Sequence, residues 1–157
     1  MERGTAMRKP TIYFLSYYNS CRSLIAVAWA KKLFSSKWQI ESAGLAKKQV
    51  NPACVRAMRE VNVFIDDYDS GKIDLKTLNE ASYVVQMYDF KHEKTPPVEE
   101  GNNVMSWNLP NLSLYSFDSD EEEFAYYQEL CDEIAMKVKY LYERIDGTKQ
   151  NYTAWVM

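Results

Sequence analysis

Ser16 and Arg22 bracket a short polar loop of the form S-x5-R-S, with Tyr17, Tyr18, Asn19, Ser20 and Cys21 between them and Ser23 after. An arginine so placed suits a tetrahedral oxyanion, because the planar guanidinium grips phosphate or sulfate with two parallel hydrogen bonds. The loop leaves an apolar run and enters a helical pattern, so backbone N–H groups and the positive end of a helix dipole converge on one point. Two side chains offer nucleophilic chemistry there. The Ser16 hydroxyl needs an adjacent base to take its proton, and no histidine stands near it in the sequence. Cys21 carries a thiol, but it sits five positions further along the loop, out of line with an attack aimed from Ser16.

The elements that must hold this loop follow from periodicity. Ile12 to Leu15 form a bulky uninterrupted run, as in a strand buried on both faces of a parallel sheet. From Arg22 the period changes, and Ile25, Ala28, Trp29 and Leu33 share one helical face. Lys37 to Ser42 alternates like an edge strand and ends at Ala43-Gly44. Asn51 caps a further helix with Pro52 in its first turn, and Cys54, Ala57, Met58 and Val61 form its apolar stripe. Asp74 caps a short helix through Leu78, Ala81 to Met87 reads as a central strand, and Asn103 to Trp107 as a weaker fourth. The polar stretch Lys91 to Gly101 between those two strands is expected to be mobile. A long stripe, Phe124, Tyr127, Cys131, Ile134, Val138, Leu141 and Ile145, marks the last helix. Asp118 and Asp120 are expected to cap it, with negative charge running on to Glu123. Strands alternating with helices give an α/β fold, a doubly wound four-stranded parallel sheet with helices on both faces. A ligand then belongs at the carboxyl ends of the strands, beside the Ser16 loop.

At 157 residues and 46% apolar content the chain supports one core. Its expected organisation is an extension at 1–10, a domain at 11–147 and a tail at 148–157. A net charge of -3 gives no general attraction to nucleic acid or an anionic membrane, so any anion site is local. No apolar run approaches membrane-spanning length and no signal segment precedes the domain, which points to the cytoplasm. Cys21, Cys54 and Cys131 are an odd number at wide separations, unlike a disulfide framework or a zinc motif. Cys54 and Cys131 fall on apolar helix faces, where a free cysteine acts as a small hydrophobe rather than a redox partner. No metal or cofactor is expected, and His92, the single histidine, is read as an exposed bystander. The aromatic tail around Trp155, with twelve tyrosines in the chain, suggests a protein partner.

With cysteine at Ser16 the loop would read C-x5-R-S. In that form it resembles the phosphate-binding loop of the low-molecular-weight protein tyrosine phosphatases and the related thioredoxin-coupled arsenate reductases. Asn19-Ser-Cys-Arg-Ser23, Glu41-Ser-Ala-Gly44, Asn51-Pro52, Thr95-Pro-Pro97 and the Glu121 to Ile134 helix extend the likeness from about Thr11 to Gly147. The resemblance implies the phosphotyrosine phosphatase I-like fold. It also implies an oxyanion-binding loop made of Ser16, Tyr17, Tyr18, Asn19, Ser20, Cys21, Arg22 and Ser23. Four departures stand against the family's chemistry. Ser16 replaces the attacking thiolate. Leu109 replaces the aspartate acid, which is worth about 10²–10⁴ in rate. Tyr88 and Thr95 replace the two redox cysteines of the reductases. Of the family's monovalent-cation site Asn19 and Ser42 remain, but Val27 and Gly71 replace its acids, so no potassium is expected. A strained backbone at Tyr18, if the loop needs positive φ there, would reshape the cradle. The expected function is therefore a catalytically degenerate homologue that binds phosphate, sulfate or a phosphorylated group. One alternative is a low-activity phosphatase or arsenate reductase working through Cys21, or through Ser16 with a base the sequence does not reveal. The other is an interaction module without a small ligand.

Overall fold

The bulky run at the front of the chain becomes the centre of a sheet in a computed structural model describing residues 9–46, 48–66, 68, 71–94, 98–99, 101 and 103–146. Its first strand, β1 (Thr11–Ser16), pairs in parallel with β2 (Gln39–Gly44) on one side and β3 (Tyr83–Tyr88) on the other. β4 (Val104–Asn108) adds to β3, giving the order β2-β1-β3-β4 with every pair parallel. Alternation along β1 sends Ile12 and Phe14 into one hydrophobic cluster and Tyr13 and Leu15 into the other. The larger cluster lies under α1 (Arg22–Leu33), α2 (Pro52–Arg59) and α4 (Asp120–Ile145). On the opposite face Leu78 of α3 (Leu75–Glu80) packs over Tyr13, Leu15 and Val84. Helices on both faces of a parallel sheet are the expected architecture.

α1 departs from its expected single stripe. Leu24, Ile25, Ala26, Val27, Ala28 and Ala30 are all buried, because the helix is wedged between the sheet and α4. Its alanines let those neighbours approach, and its exposed lysines are Lys31 and Lys32. α2 begins as expected, with the Asn51 side chain accepting from the N–H groups of Ala53 (2.8 Å) and Cys54 (3.3 Å). It ends before Val61, which is 45% exposed; the chain turns at Asn62 with φ 61°, a left-handed conformation that asparagine tolerates. The cap of α4 is Ser119, whose hydroxyl accepts from Glu122 N–H at 3.0 Å, in place of the expected Asp118 or Asp120. Asp118 instead donates its N–H to the Glu122 carboxylate, and Asp120 to Glu123 fill the first turn.

Two described points of the β3–β4 connection are tied down, while Thr95 to Pro97 lie outside the described residues. Gln86, fully buried on β3, donates its amide to the Val98 carbonyl at 2.6 Å and accepts from Val98 N–H at 3.0 Å. At the other end, Glu93 is folded inward onto the site. No helix among the described residues is long and apolar enough to cross a membrane. The expected extension before Lys9 and the tail after Asp146 lie outside the described residues.

Candidate active site

β1 runs out at Ser16, in register with Gly44 of β2 and Met87 of β3, so the loop begins at the carboxyl edge of the sheet. Two backbone hydrogen bonds tie it to the segment entering α2, Ala46 N–H to Tyr17 O (3.0 Å) and Asn51 N–H to Ser20 O (2.9 Å). Gly44 lies so close beneath it that a Cβ there would be 2.7 Å from the Tyr18 carbonyl carbon and 2.8 Å from Asn19 N. The left-handed residue of the loop is Asn19 (φ 52°), not Tyr18, so the feared strain on a tyrosine does not arise.

Ser16 is 1% exposed, and its hydroxyl is fully engaged. The Ser23 hydroxyl donates to Asn19 Oδ1 at 2.5 Å, which leaves Ser16 to donate to Ser23 Oγ at 2.7 Å and to accept from Asn19 N–H at 3.2 Å. This proton chain ends on a carboxamide oxygen, which is no base. Ser16 therefore has no route to an alkoxide.

Arg22 opens α1 and points into the protein, 4% exposed. Its two terminal nitrogens donate to the two oxygens of Glu93, each at 2.8 Å, and one also donates to Leu109 O at 3.3 Å. The Glu93 carboxylate accepts as well from Asp89 N–H (2.7 Å) and Asn111 Nδ2 (2.8 Å). Glu93 thus occupies the fork an oxyanion would use. No feature of a lone glutamate in a polar, Pro-flanked loop marks it for this position.

A cavity of about 270 Å³ opens beside the loop, with Ser16, Tyr18, Asn19, Ser20, Cys21 and Arg22 on one wall. Lys48 to Pro52, Pro110 to Ser113 and Tyr127 complete it. The Lys48 ammonium lies 4.7 Å over the Tyr18 ring and adds positive charge to the rim. Tyr17 turns the other way, into a second recess of about 220 Å³ with His92 and Glu93, so it leaves the first cavity open. Ser23 sits behind the loop, fully buried.

Among the described residues the cavity wall carries no carboxyl or imidazole. Leu109, at the acid position, is buried and contributes only its carbonyl oxygen. Asp89 lies nearby but has no proton to give at neutral pH. Burial pushes its pKa up, yet hydrogen bonds from Asn111 N–H, the Tyr115 hydroxyl and Lys91 N–H outweigh that and hold it below the ordinary carboxylate value. His92 is exposed against Tyr115, as expected. Tyr88 is buried, its hydroxyl unpartnered among the described residues, and Thr95 lies outside those residues.

Cys54 and Cys131 are buried on apolar helix faces, as expected. Cys21 caps α1 and lines the cavity, half-buried. Cys54 is buried in the same core cluster as Cys131, and Cys21 packs against that cluster. Burial first, and then the thiols of Cys131 and Cys21, push Cys54 well above the ordinary thiol value. Tyr127, hydrogen-bonded to Asn51 at 3.3 Å, is raised by burial and then by Cys21.

Comparison with known proteins fits this geometry. The model of the low molecular weight phosphotyrosine protein phosphatase family matches residues 11–151. The arsenate reductase of Brevibacillus brevis is 37% identical over 131 residues, covering 83% of this chain and 92% of that protein. The arsenate reductase of Halalkalibacterium halodurans is 33% identical over 133 residues, covering 85% and 95%. A solved arsenate reductase in its oxidized state superposes with a TM-score of 0.70 at 22% identity, covering 87% of this chain and 98% of that one. These relatives overturn the expectation of a degenerate, non-catalytic homologue. Proteins sharing a third of their residues with this chain over nearly their whole length are named as reductases, which favours the enzymatic alternative.

Proposed function

The chain belongs to the low-molecular-weight phosphotyrosine protein phosphatase family, and on that premise we propose that it is an arsenate reductase whose nucleophile is Cys21. The observation that carries this reading is the division of labour in the loop. Ser16 is locked into a hydrogen-bond chain with no base, whereas Cys21 lines the cavity next to Arg22. Arsenate is a tetrahedral oxyanion of the kind the loop amides, the Lys48 charge and a released Arg22 fork would hold. Attack by the Cys21 sulfur on arsenic forms an S–As bond, and the thiol proton passes to an arsenate OH, which leaves as water.

Arsenate chemistry also fits the missing acid better than phosphoester hydrolysis. Cleaving a poor leaving group from phosphorus gains about 10²–10⁴ from a positioned proton donor, and the cavity wall has none. A second thiol then takes the oxidation, and a dithiol such as thioredoxin restores the enzyme. That cycle belongs in a reducing compartment, the cytoplasm. Phosphate and sulfate act as competing ligands of the same loop.

The test is arsenite formation with thioredoxin as reductant. Wild-type protein should produce arsenite, and Cys21→Ala should lose at least about 100-fold in kcat. Absence of arsenite, or a Cys21→Ala variant at the wild-type rate, rejects the reading.

A further inference from the structure

The positions at which the reductases carry their redox cysteines hold Tyr88 and Thr95 here, so a reductase working through Cys21 needs another thiol to finish the reaction. From the stacking of the three cysteines behind the cavity we infer that Cys54 is that resolving thiol, forming a Cys21–Cys54 disulfide within the core under α2. This rests on the arsenate-reductase reading and names the residue that completes it.

The placement follows from the fold. Asn51 caps α2 at the cavity wall, and Cys54 stands in the first turn after it, facing inward with 0% exposure. Cys21 follows Ser20, whose carbonyl accepts from Asn51 N–H at 2.9 Å at the start of α2, and it packs against the buried cluster that holds Cys54 and Cys131. Its burial makes Cys54 inaccessible to an outside thiol but adjacent to Cys21. Cys21 is partly exposed, and is the sulfur an external dithiol can reach.

The electron count closes. In the Cys21–arsenate adduct, the Cys54 thiol passes its proton to an oxygen of the arsenic group and attacks the Cys21 sulfur. An S–S bond forms and the S–As bond breaks, its electron pair passing to arsenic. Arsenic falls from the pentavalent to the trivalent state and leaves as arsenite, while two thiols become one disulfide. An external dithiol then attacks the Cys21 sulfur, frees Cys54, and closes its own disulfide to release Cys21. The two sulfurs have to close to about 2.05 Å to form the bond. The raised pKa of Cys54 makes this attack slow at neutral pH and faster as pH climbs, since the thiolate is the attacking form.

The experiment traps the disulfide in the full chain. Wild-type protein is mixed with arsenate without reductant, free thiols are blocked with N-ethylmaleimide in acid, and proteolytic peptides are mapped by mass spectrometry. A parallel arm uses diamide in place of arsenate. A Cys21–Cys54 peptide formed with about one arsenite per chain supports the inference, as does loss of at least about 100-fold in arsenite turnover in Cys54→Ala. Arsenite released with Cys54 recovered as free thiol, or linked only to Cys131, overturns the inference while leaving the reductase reading standing. A Cys21–Cys54 link with diamide and no arsenite from arsenate overturns the reductase reading and keeps the thiol pair. No link in either arm overturns the inference. The wild-type arms decide even if Cys54→Ala folds poorly.

Discussion

Glu93→Gln is the most informative single change at this site. Glu93 uses one oxygen for Arg22 and Asp89 N–H and the other for Arg22 and Asn111 Nδ2, with all four bonds at 2.7–2.8 Å. In glutamine one oxygen becomes an NH₂ group, which meets the Arg22 and Asn111 donors head-on, so two of the four bonds fail and the negative charge disappears. Both side chains of the ion pair are 4% exposed, and a buried pair stripped of one charge loses about 3–5 kcal/mol. At about 3 °C per kcal/mol the variant should melt about 10–15 °C lower. Anion binding should move the other way. In the wild type an arriving oxyanion must displace the carboxylate from Arg22, whereas in the variant it meets a cation short of partners. Recovering even about 1.4–2.8 kcal/mol of that deficit tightens phosphate binding about 10- to 100-fold. Calorimetric titration with inorganic phosphate measures the affinity, and thermal unfolding with and without phosphate checks that the gain appears as a larger ligand-induced shift. A folded variant that binds phosphate no better than wild type would show that Glu93 does not compete for Arg22.

The remaining predictions concern the loop and the core behind it. Gly44→Ala drives a methyl group into the loop backbone at 2.7–2.8 Å, so it should destabilise the protein by about 1–3 kcal/mol and weaken phosphate binding; an unchanged denaturation midpoint refutes the close approach. Ser16→Cys places a thiol at the end of β1 with no acid opposite, and should create hydrolysis of aryl phosphates with good leaving groups only. Equal rates on alkyl phosphates would mean that an acid exists after all. Tyr88 and Tyr127 are both raised above the ordinary tyrosine value of 10.0, chiefly by burial, next by Glu93 for Tyr88 and by Cys21 for Tyr127. The unfolded chain therefore loses these protons first. Their stabilisation is intact below about pH 10 and decays as pH rises beyond it, so chemical-denaturation midpoints should drop there, and Tyr127→Phe should flatten part of the drop.

Much of the scaffold was legible because its signals are local. The Asn51-Pro52 pair announces the start of α2 by side-chain capping, and the Ile12 to Leu15 run announces a strand with no exposed face. Arg22 and its loop were legible for the same reason, since the donors that serve an anion lie within a few residues. What escaped notice is long-range. Glu93 reaches Arg22 across 71 positions, and nothing near Glu93 distinguishes it from Glu99 or Glu100. The cysteines are separated by whole elements, so their meeting depends on how α2 and α4 pack, which spacing does not encode. Smaller misses came from choosing the wrong residue within the right motif. Ser119 took the cap from its acidic neighbours because its short hydroxyl reaches Glu122 N–H, and Asn19 took the left-handed position from Tyr18. The largest error was functional: departures at Ser16, Tyr88, Thr95 and Leu109 were read as the end of chemistry, whereas relatives a third identical over most of the chain are named as arsenate reductases.

The clasp between Gln86 and Val98 sets how the β3–β4 connection can respond when Glu93 lets go of Arg22. A side-chain amide that both donates to and accepts from one backbone residue imitates a strand partner, and it anchors that connection to the middle of the sheet. Release at Glu93 therefore leaves the far end fastened. An anion that displaces Glu93 from Arg22 therefore meets a chain still bound to the sheet at Val98, so the cost of opening falls on the Glu93 contacts and leaves the Gln86 pair intact.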